Sequence, residues 1–337
     1  MKQNKKAIFA GILLLLVGFG LGKWAFPAPQ ERLPGGRYLI VNADDFGASE
    51  AITSGIIQAW KEGIVTSTSA QVNLPGAVER IRAAHAANPA LPIGLHLDIT
   101  EGKPVLPPDQ VPSLVDEAGK FYPAETITTH LTEISLTELR AELHAQAELL
   151  IQSGVKFDHI DYHNHMLVLY TPFYPLVIEL AQEYGVPVRQ PVPESVYGQI
   201  QISGGSASAA AMQEMIWFGV QHPQLAMKMM PDMTPDAFKK QAVRLDTLGI
   251  PTTNWFVDAF YNNASSANMI SILGQLPPGV SEMMVHPGLE DQNQEDPSAY
   301  SGRLQELEVL TDSAVRDALL TNHIQRIDFT FLSRSSK

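Results

Sequence analysis

The sequence predicts an α/β fold: parallel strands alternating with helices, closed as a barrel, behind an N-terminal transmembrane or signal segment. Three observations predict it. From residue 37 onward, short β-prone runs alternate with helix-length segments, the pattern of a parallel sheet. About seven or eight strands in roughly 300 residues favour a barrel over an open sheet. The ends of four strands carry carboxylates or imidazoles, namely Asp44/Asp45, His96, His163/His165 and His286, and a parallel barrel brings such ends to one face.

The elements follow in order. Met1 to Lys6 is basic, and Ala7 to Gly22 is continuously apolar. Lys23 interrupts this run, but lysine snorkels, and Trp24 and Phe26 suit an interface. Counted to Phe26, the stretch reaches about 20 residues, enough to span a bilayer. Residues 1–26 read as an uncleaved signal anchor, with a cleaved signal peptide as the rival reading. Either way the basic end stays cytoplasmic. The rest faces outward, anchored at the periplasmic or cell-surface side, or secreted after cleavage. Residues 27–36 are a Pro/Gly linker, and 37–333 form one domain without internal repeat.

Tyr38–Asn42 is a strand, Ser49–Glu62 a helix with Ser49 as N-cap and Gly63 past its end. Thr68–Asn73 and Ile93–Leu97 are strands flanking a helix at Ala77–Ala87, and a Pro-rich excursion runs from Lys103 to Pro123. Helix Ser135–Ser153, strand Phe157–Asp161, helix Pro172–Tyr184 and strand Val186–Arg189 come next. Ser203–Ala211 is a loop of small residues, and Thr234–Leu248 a helix ended by Gly249. Asn254–Val257 and Ser281–Val285 are strands, Leu304–Leu310 and Ala314–Thr321 helices, and Ile327–Phe331 the last strand.

Bulk properties exclude several functions. A net charge of −13 argues against nucleic acid or an anionic membrane surface as partner. With no cysteine there are no disulfides, thiolate nucleophile, Cys-type zinc site or lipid-modified cysteine anchor. There is no Gly-x-Ser-x-Gly, no P-loop and no GxGxxG after the first strand.

What remains is the constellation of strand ends. Asp44 and Asp45 repel each other unless a cation or proton lies between them; the alternative is that one caps the next helix. Asp45, His96 and His163 would make a two-His, one-carboxylate metal site with open positions. Asp44 would then take a proton from the attacking water, and His286 would protonate the leaving group or stabilise an oxyanion. His96 alone could be a core histidine, and His286 before Pro287 a turn residue. His163 and His165, two apart, would share a face. Asp161 could orient a liganding imidazole, with a turn cap as the alternative, and Asp98 reads as a loop residue at the rim. Arg189 could pair with Asp44, bind substrate or form a surface ion pair. Trp255, Phe256 and Tyr261 could stack on a bound ring or pack the core. His85, His130, His144, His222 and His323 read as solvated.

These motifs resemble the YdjC/ChbG family of carbohydrate deacetylases. The resemblance rests on Leu39-Ile-Val-Asn-Ala-Asp-Asp-Phe-Gly47, Gly63-Ile-Val-Thr-Ser-Thr-Ser-Ala70, Ile93-Gly-Leu-His-Leu97, Gly102-Lys-Pro104, Phe157-Asp-His-Ile-Asp-Tyr-His-Asn-His165, His286-Pro287 and Arg303-Leu-Gln-Glu-Leu-Glu-Val-Leu-Thr311, in family order. It implies an irregular TIM-like barrel, one divalent metal and removal of an N-acetyl group from an amino sugar. By resemblance the metal is Mg²⁺, whereas the ligand types also suit Zn²⁺. It places ligation on His96 and His163 with a carboxylate from the Asp pair, Asp44 as base and Asp45 as ligand. Leu167 stands where the family often has a further histidine. The expected partners are an N-acetylated amino-sugar oligosaccharide or glycolipid and, through residues 1–26, a membrane. The alternatives are a metal hydrolase of phosphoesters or peptide amides, and an inactive anchored sugar-binding protein.

Overall fold

The computed structural model describes residues 35–124, 126–192, 200–202, 205–206, 220, 223–229, 235–290 and 302–335. The segment 1–26 expected to be an anchor or signal, most of the expected 27–36 linker and His222 lie outside the described residues, as does Ser203–Ala211 apart from two positions. Among the described residues, no helix is long and apolar enough to cross a membrane.

The central strand is β1 (Arg37–Phe46), followed by α1 (Glu50–Glu62), β2 (Ser67–Ala70), α2 (Ala77–Ala87) and β3 (Ile93–Leu97). Ser49 caps α1 by accepting the Ile52 N–H at 3.2 Å, and Gly63 closes it. The Pro-rich excursion is pinned by Glu142, which accepts the N–H groups of Val105 and Leu106. Glu142 lies on α3 (Leu136–Gln152), which leads through a coil to β4 (Ile160–Tyr162). A single 3-10 turn, His163–His165, then precedes α4 (Met166–Leu169) and α5 (Tyr174–Tyr184).

A two-residue hairpin, β5 (Gln201–Ile202) with β6 (Gly205–Ser206), precedes α6 (Pro223–Met229), α7 (Pro235–Thr247) and β7 (Trp255–Val257). After α8 (Ser266–Gln275) come β8 (Gly279–Val285), α9 (Arg303–Thr311), α10 (Ser313–Thr321), β9 (Ile324–Arg326) and α11 (Thr330–Ser335).

The main sheet is parallel, in the order β4-β3-β2-β1-β8-β7, with β9 also on β1. Strand β8 runs along one edge of β1, so β9 and β2 share the other, β9 at Arg37–Leu39 and β2 from Asn42 onward. The predicted strand Val186–Arg189 survives as one bridge, Ile160 with Val188, and Val188 donates its N–H to Pro251 C=O at 3.0 Å. That segment bonds to β4 and to the coil that leads into β7, an arrangement consistent with a TIM-like barrel, and the proline at 187 limits it by lacking an N–H.

Besides the short hairpin β5–β6 and the unanticipated helices α4 and α6, two larger differences from expectation stand out. Helix α8 lies where no element was anticipated, and Ser265 starts it by accepting the Asn268 N–H. The last strand is β9 at Ile324–Arg326 rather than Ile327–Phe331, because Asp328 Oδ1 accepts from the Thr330 N–H and hydroxyl and turns the chain into α11.

Alternation along the strands divides the interior. Leu39, Val41 and Ala43 of β1, Leu95 and Leu97 of β3, and Met283 and Val285 of β8 pack in the main apolar core. The intervening positions face the other side. There Ile40 and Val280 join Ile327, Phe329 and Leu332 in a small apolar plug. Beyond that plug the same face turns polar, with Asn42, Asp44, Ser69, His96, Asp161 and Glu282 all buried.

Candidate metal centre

Strict alternation would send Asp44 and Asp45 to opposite faces of β1. The structure prevents this with an irregularity in the β1–β2 pairing between Ala43 and Phe46, where β1 carries one extra residue, and with a left-handed backbone at Asp45 (φ 69°). A non-glycine residue in that region is strained, and the strain sits at the two carboxylates. Both are 2% exposed. Neither caps α1, which Ser49 does, so the capping alternative is set aside.

Asp45 Oδ1, His96 Nε2 and His163 Nδ1 form a triangle. Its sides are 3.2 Å from His163 to Asp45, 3.3 Å from His96 to Asp45 and 3.2 Å between the imidazoles. Three ligands about 2.1 Å from one ion lie about 3.0 Å apart at octahedral angles and about 3.4 Å apart at tetrahedral ones, so the triangle fits a single divalent ion. Each imidazole is also oriented from behind. His96 Nδ1 meets Asp161 Oδ1 at 2.8 Å, which leaves Nε2 as the free lone pair. His163 Nε2 lies 3.4 Å from Glu101 Oε1, directing Nδ1 inward. Asp45 keeps Oδ1 for the triangle because Arg303 donates to Oδ2 at 2.7 Å.

Charge makes the same demand. In the linked network of Asp44, Asp45, Asp161, Glu282, Arg189 and Arg303, all buried, four carboxyl groups meet two guanidiniums; burial raises the Glu282 pKa to about 7 despite Arg189, so the surplus reaches two negative charges only when Glu282 is ionised. Burial alone would lower the pKa of His96, yet Asp161, Asp45 and Asp44 outweigh it and push it up to about 10. His163 is likewise raised well above its ordinary value, against burial, by Asp45 and Glu101. Asp45 is held well below the carboxylate range, against burial, by Arg303 and the two imidazoles. Two imidazolium protons or one dication satisfies this surplus, and only the dication leaves the ring nitrogens free to ligate.

Asp44 has a different environment. Arg189 grips it with two hydrogen bonds, NH1 to Oδ2 at 2.8 Å and NH2 to Oδ1 at 2.7 Å, and Asn42 Nδ2 donates to Oδ1 at 2.8 Å. A second metal-like grouping of Asp44, His96 and Asp161 is thus already served by a cation, since Arg189 NH2 is also 2.7 Å from Asp161 Oδ2. Of the three expectations for Arg189, pairing with Asp44 holds. Its side chain is fully buried, so it is neither a surface ion pair nor directly open to substrate.

The remaining expectations divide. His163 and His165 do not share a face. The strand ends at Tyr162, and left-handed residues at Asn164 and His165 (φ 51° and 53°) turn the chain, aiming His163 into the triangle. His165 packs edge-on against Tyr162 and Phe256, and burial with Arg189 lowers its pKa to about 3. His286 packs against Tyr261, with ring centroids 5.1 Å apart. Burial lowers its pKa to about 4 although Asp45 and Asp44 pull the other way, so it enters neutral rather than as an imidazolium acid.

Trp255 and Phe256 are core residues: Trp255 Nε1 donates to Pro278 C=O, and the Phe256 ring lies 5.0 Å from the Arg189 guanidinium carbon. Asp98 is fully buried rather than at the rim, and its carboxylate accepts from Thr100, Gln71 and Asn73 to shape the turn that presents Glu101. His130 and His144 pair with surface glutamates away from the centre.

Sequence reasoning missed Glu101, Arg303 and Glu282 as site residues. Glu282 alone carried a signal, as a charge within the otherwise uncharged strand Gly279–Val285.

The YdjC-like protein family model matches residues 38–321, which hold all of these side chains. The chain belongs to this family. A carbohydrate deacetylase of Brevibacillus brevis is 31% identical over 300 residues, covering 87% of this chain and 99% of the relative. A carbohydrate deacetylase of Thermoanaerobacter pseudethanolicus is 28% identical over 88% of this chain and 99% of its own. Among solved structures, a proposed cellobiose-phosphate cleavage protein from Enterococcus faecalis superposes with a TM-score of 0.71 at 28% identity, covering 88% of this chain and 99% of that one.

Proposed function

We propose that this YdjC-like chain is a divalent-metal-dependent carbohydrate deacetylase that removes acetate from an N-acetylated amino sugar outside the cytoplasm. One observation carries the reading: the Asp45–His96–His163 triangle stands beside a second carboxylate, Asp44, that is held separately by Arg189. Curated relatives that are carbohydrate deacetylases support the substrate class. The basic and then apolar N-terminus supports the location.

Asp45, His96 and His163 would hold the ion, which when bound supplies Lewis acidity to an acetamide carbonyl and to water. Arg189 and Asn42 fix Asp44; Oδ1 accepts from both, while Oδ2 accepts only from Arg189 NH1 and retains a lone pair to accept the proton of the attacking water. Neutral His286 donates an N–H toward the oxygen that becomes negative as the carbonyl is attacked. Asp44 returns its proton to the nitrogen as the C–N bond breaks, and the amine leaves with acetic acid, which becomes acetate by giving up the water's second proton to solvent or to the amine.

The test is acetate release from N-acetylated mono- and oligosaccharides by chelated protein, with Mg²⁺, Zn²⁺ or Co²⁺ restored singly. Wild type turns over with at least one ion, and His96→Ala and His163→Ala lose both metal and activity. Phosphate release from phosphorylated disaccharides without acetate release would replace this reading with phosphoester hydrolysis.

A further inference from the structure

Glu282 lies midway along β8, between Ile40 of β1 and Phe256 of β7, and is fully buried. A carboxylate there costs several kcal/mol unless paired, and an apolar residue of similar volume often costs less than a buried ion pair. Stability alone therefore does not account for its presence. Its partner is Arg189 Nε, which donates to Oε1 at 2.6 Å.

That contact completes a constraint. The guanidinium is a rigid planar fork. NH1 and NH2 hold both oxygens of Asp44, NH2 also meets Asp161, Nε is tied to Glu282, and the Phe256 ring lies alongside. Asp44 comes from β1, Asp161 from β4 and Glu282 from β8, so three strands triangulate one side chain. Asp161 in turn orients His96. One guanidinium thus sets the carboxylate that takes the proton and the carboxylate that aims a ligand. Among the described residues, the Nε bond to Glu282 is the hydrogen bond that anchors it from a residue outside those two.

We propose that Glu282 is a positioning residue for hydrolysis: by holding Arg189 Nε it fixes the fork that aligns Asp44 and Asp161. This rests on the deacetylase reading, and it assigns a role to a side chain that touches neither metal ligand nor substrate.

Three variants test it. Glu282→Gln keeps an acceptor of the same shape, and its kcat stays within about threefold of wild type. Glu282→Met fills the volume without an acceptor, and its kcat falls about 10- to 100-fold while KM and bound metal stay near wild type, as expected when reacting groups are displaced by a fraction of an ångström. Arg189→Lys cannot form the fork and loses at least as much. A folded Glu282→Met with wild-type kcat overturns the proposal, as does a Glu282→Gln as impaired as Met. If Met does not fold, an undiminished Arg189→Lys overturns it.

A readout independent of activity separates this from the deacetylase reading. The Arg189 Nε–H signal in ¹⁵N NMR is protected from exchange in wild type and Glu282→Gln and lost in Glu282→Met. Protection retained in Met rejects the anchoring role whatever the enzyme hydrolyses. Absent acetate release with the expected NMR pattern rejects only the deacetylation.

Discussion

Asp44 and Asp45 are the same side chain one residue apart, and their surroundings give them different chemistry. Asp45 presents one oxygen to two imidazoles and the other to Arg303, whereas both oxygens of Asp44 are taken by Arg189. Asp44→Asn should therefore keep its metal and lose about 10²- to 10⁴-fold in kcat, the usual weight of a general base, as read by metal analysis and acetate release. Loss of metal in that variant would exchange the two roles.

His96 gives the pH prediction. In metal-free protein its folded pKa of about 10 exceeds the ordinary 6.5, so its contribution to stability is complete below about pH 6.5 and lost as pH rises through about 10. A metal must displace that proton, so metal affinity should rise across the same window. Thermal melts of chelated protein and calorimetric metal titrations at several pH values measure the two opposite slopes.

At the scale of elements, the decisive features are where strands stop. The β1 irregularity turns both aspartates inward, and the left-handed pair after β4 aims His163 and withdraws His165. Asn164→Val places a β-branched residue at φ 51°. It should cost about 1–2 kcal/mol by denaturant unfolding and weaken metal binding, while Asn164→Gly should keep both near wild type. Strands and helices with clear edges were legible: Ala77–Ala87 and Ile93–Leu97 match to the residue. Ile327–Phe331 misled because its apolar residues suit a strand, but Asp328 intercepts the Thr330 N–H. Glu101 and Arg303 were not legible as site residues. Each is an ordinary charged residue of a turn or helix start until the fold brings it to His163 or Asp45.

For the whole molecule, the parallel sheet makes the site by placing its strand ends together, and the polar interior beneath holds them. The apolar segment 7–22 adds a separate prediction. The full chain should sediment with membranes, and a chain beginning at residue 35 should stay in the supernatant with its metal site intact. Full-length protein remaining soluble with residues 1–26 still attached would reject the anchor.

The sequence by itself indicated the fold class, the residues of the candidate metal site and the family, because these show in periodicity, in side chains ending strands and in short motifs, which are local. It did not determine how adjacent carboxylates divide their work, that His165 parts from His163, or that Arg189 is held by Glu282. Those depend on contacts such as Arg189 Nε to Glu282, 93 residues apart, at 2.6 Å. Only the tertiary packing of the strands decides which distant charges share one low-dielectric space, and there pairing rather than residue type sets the chemistry.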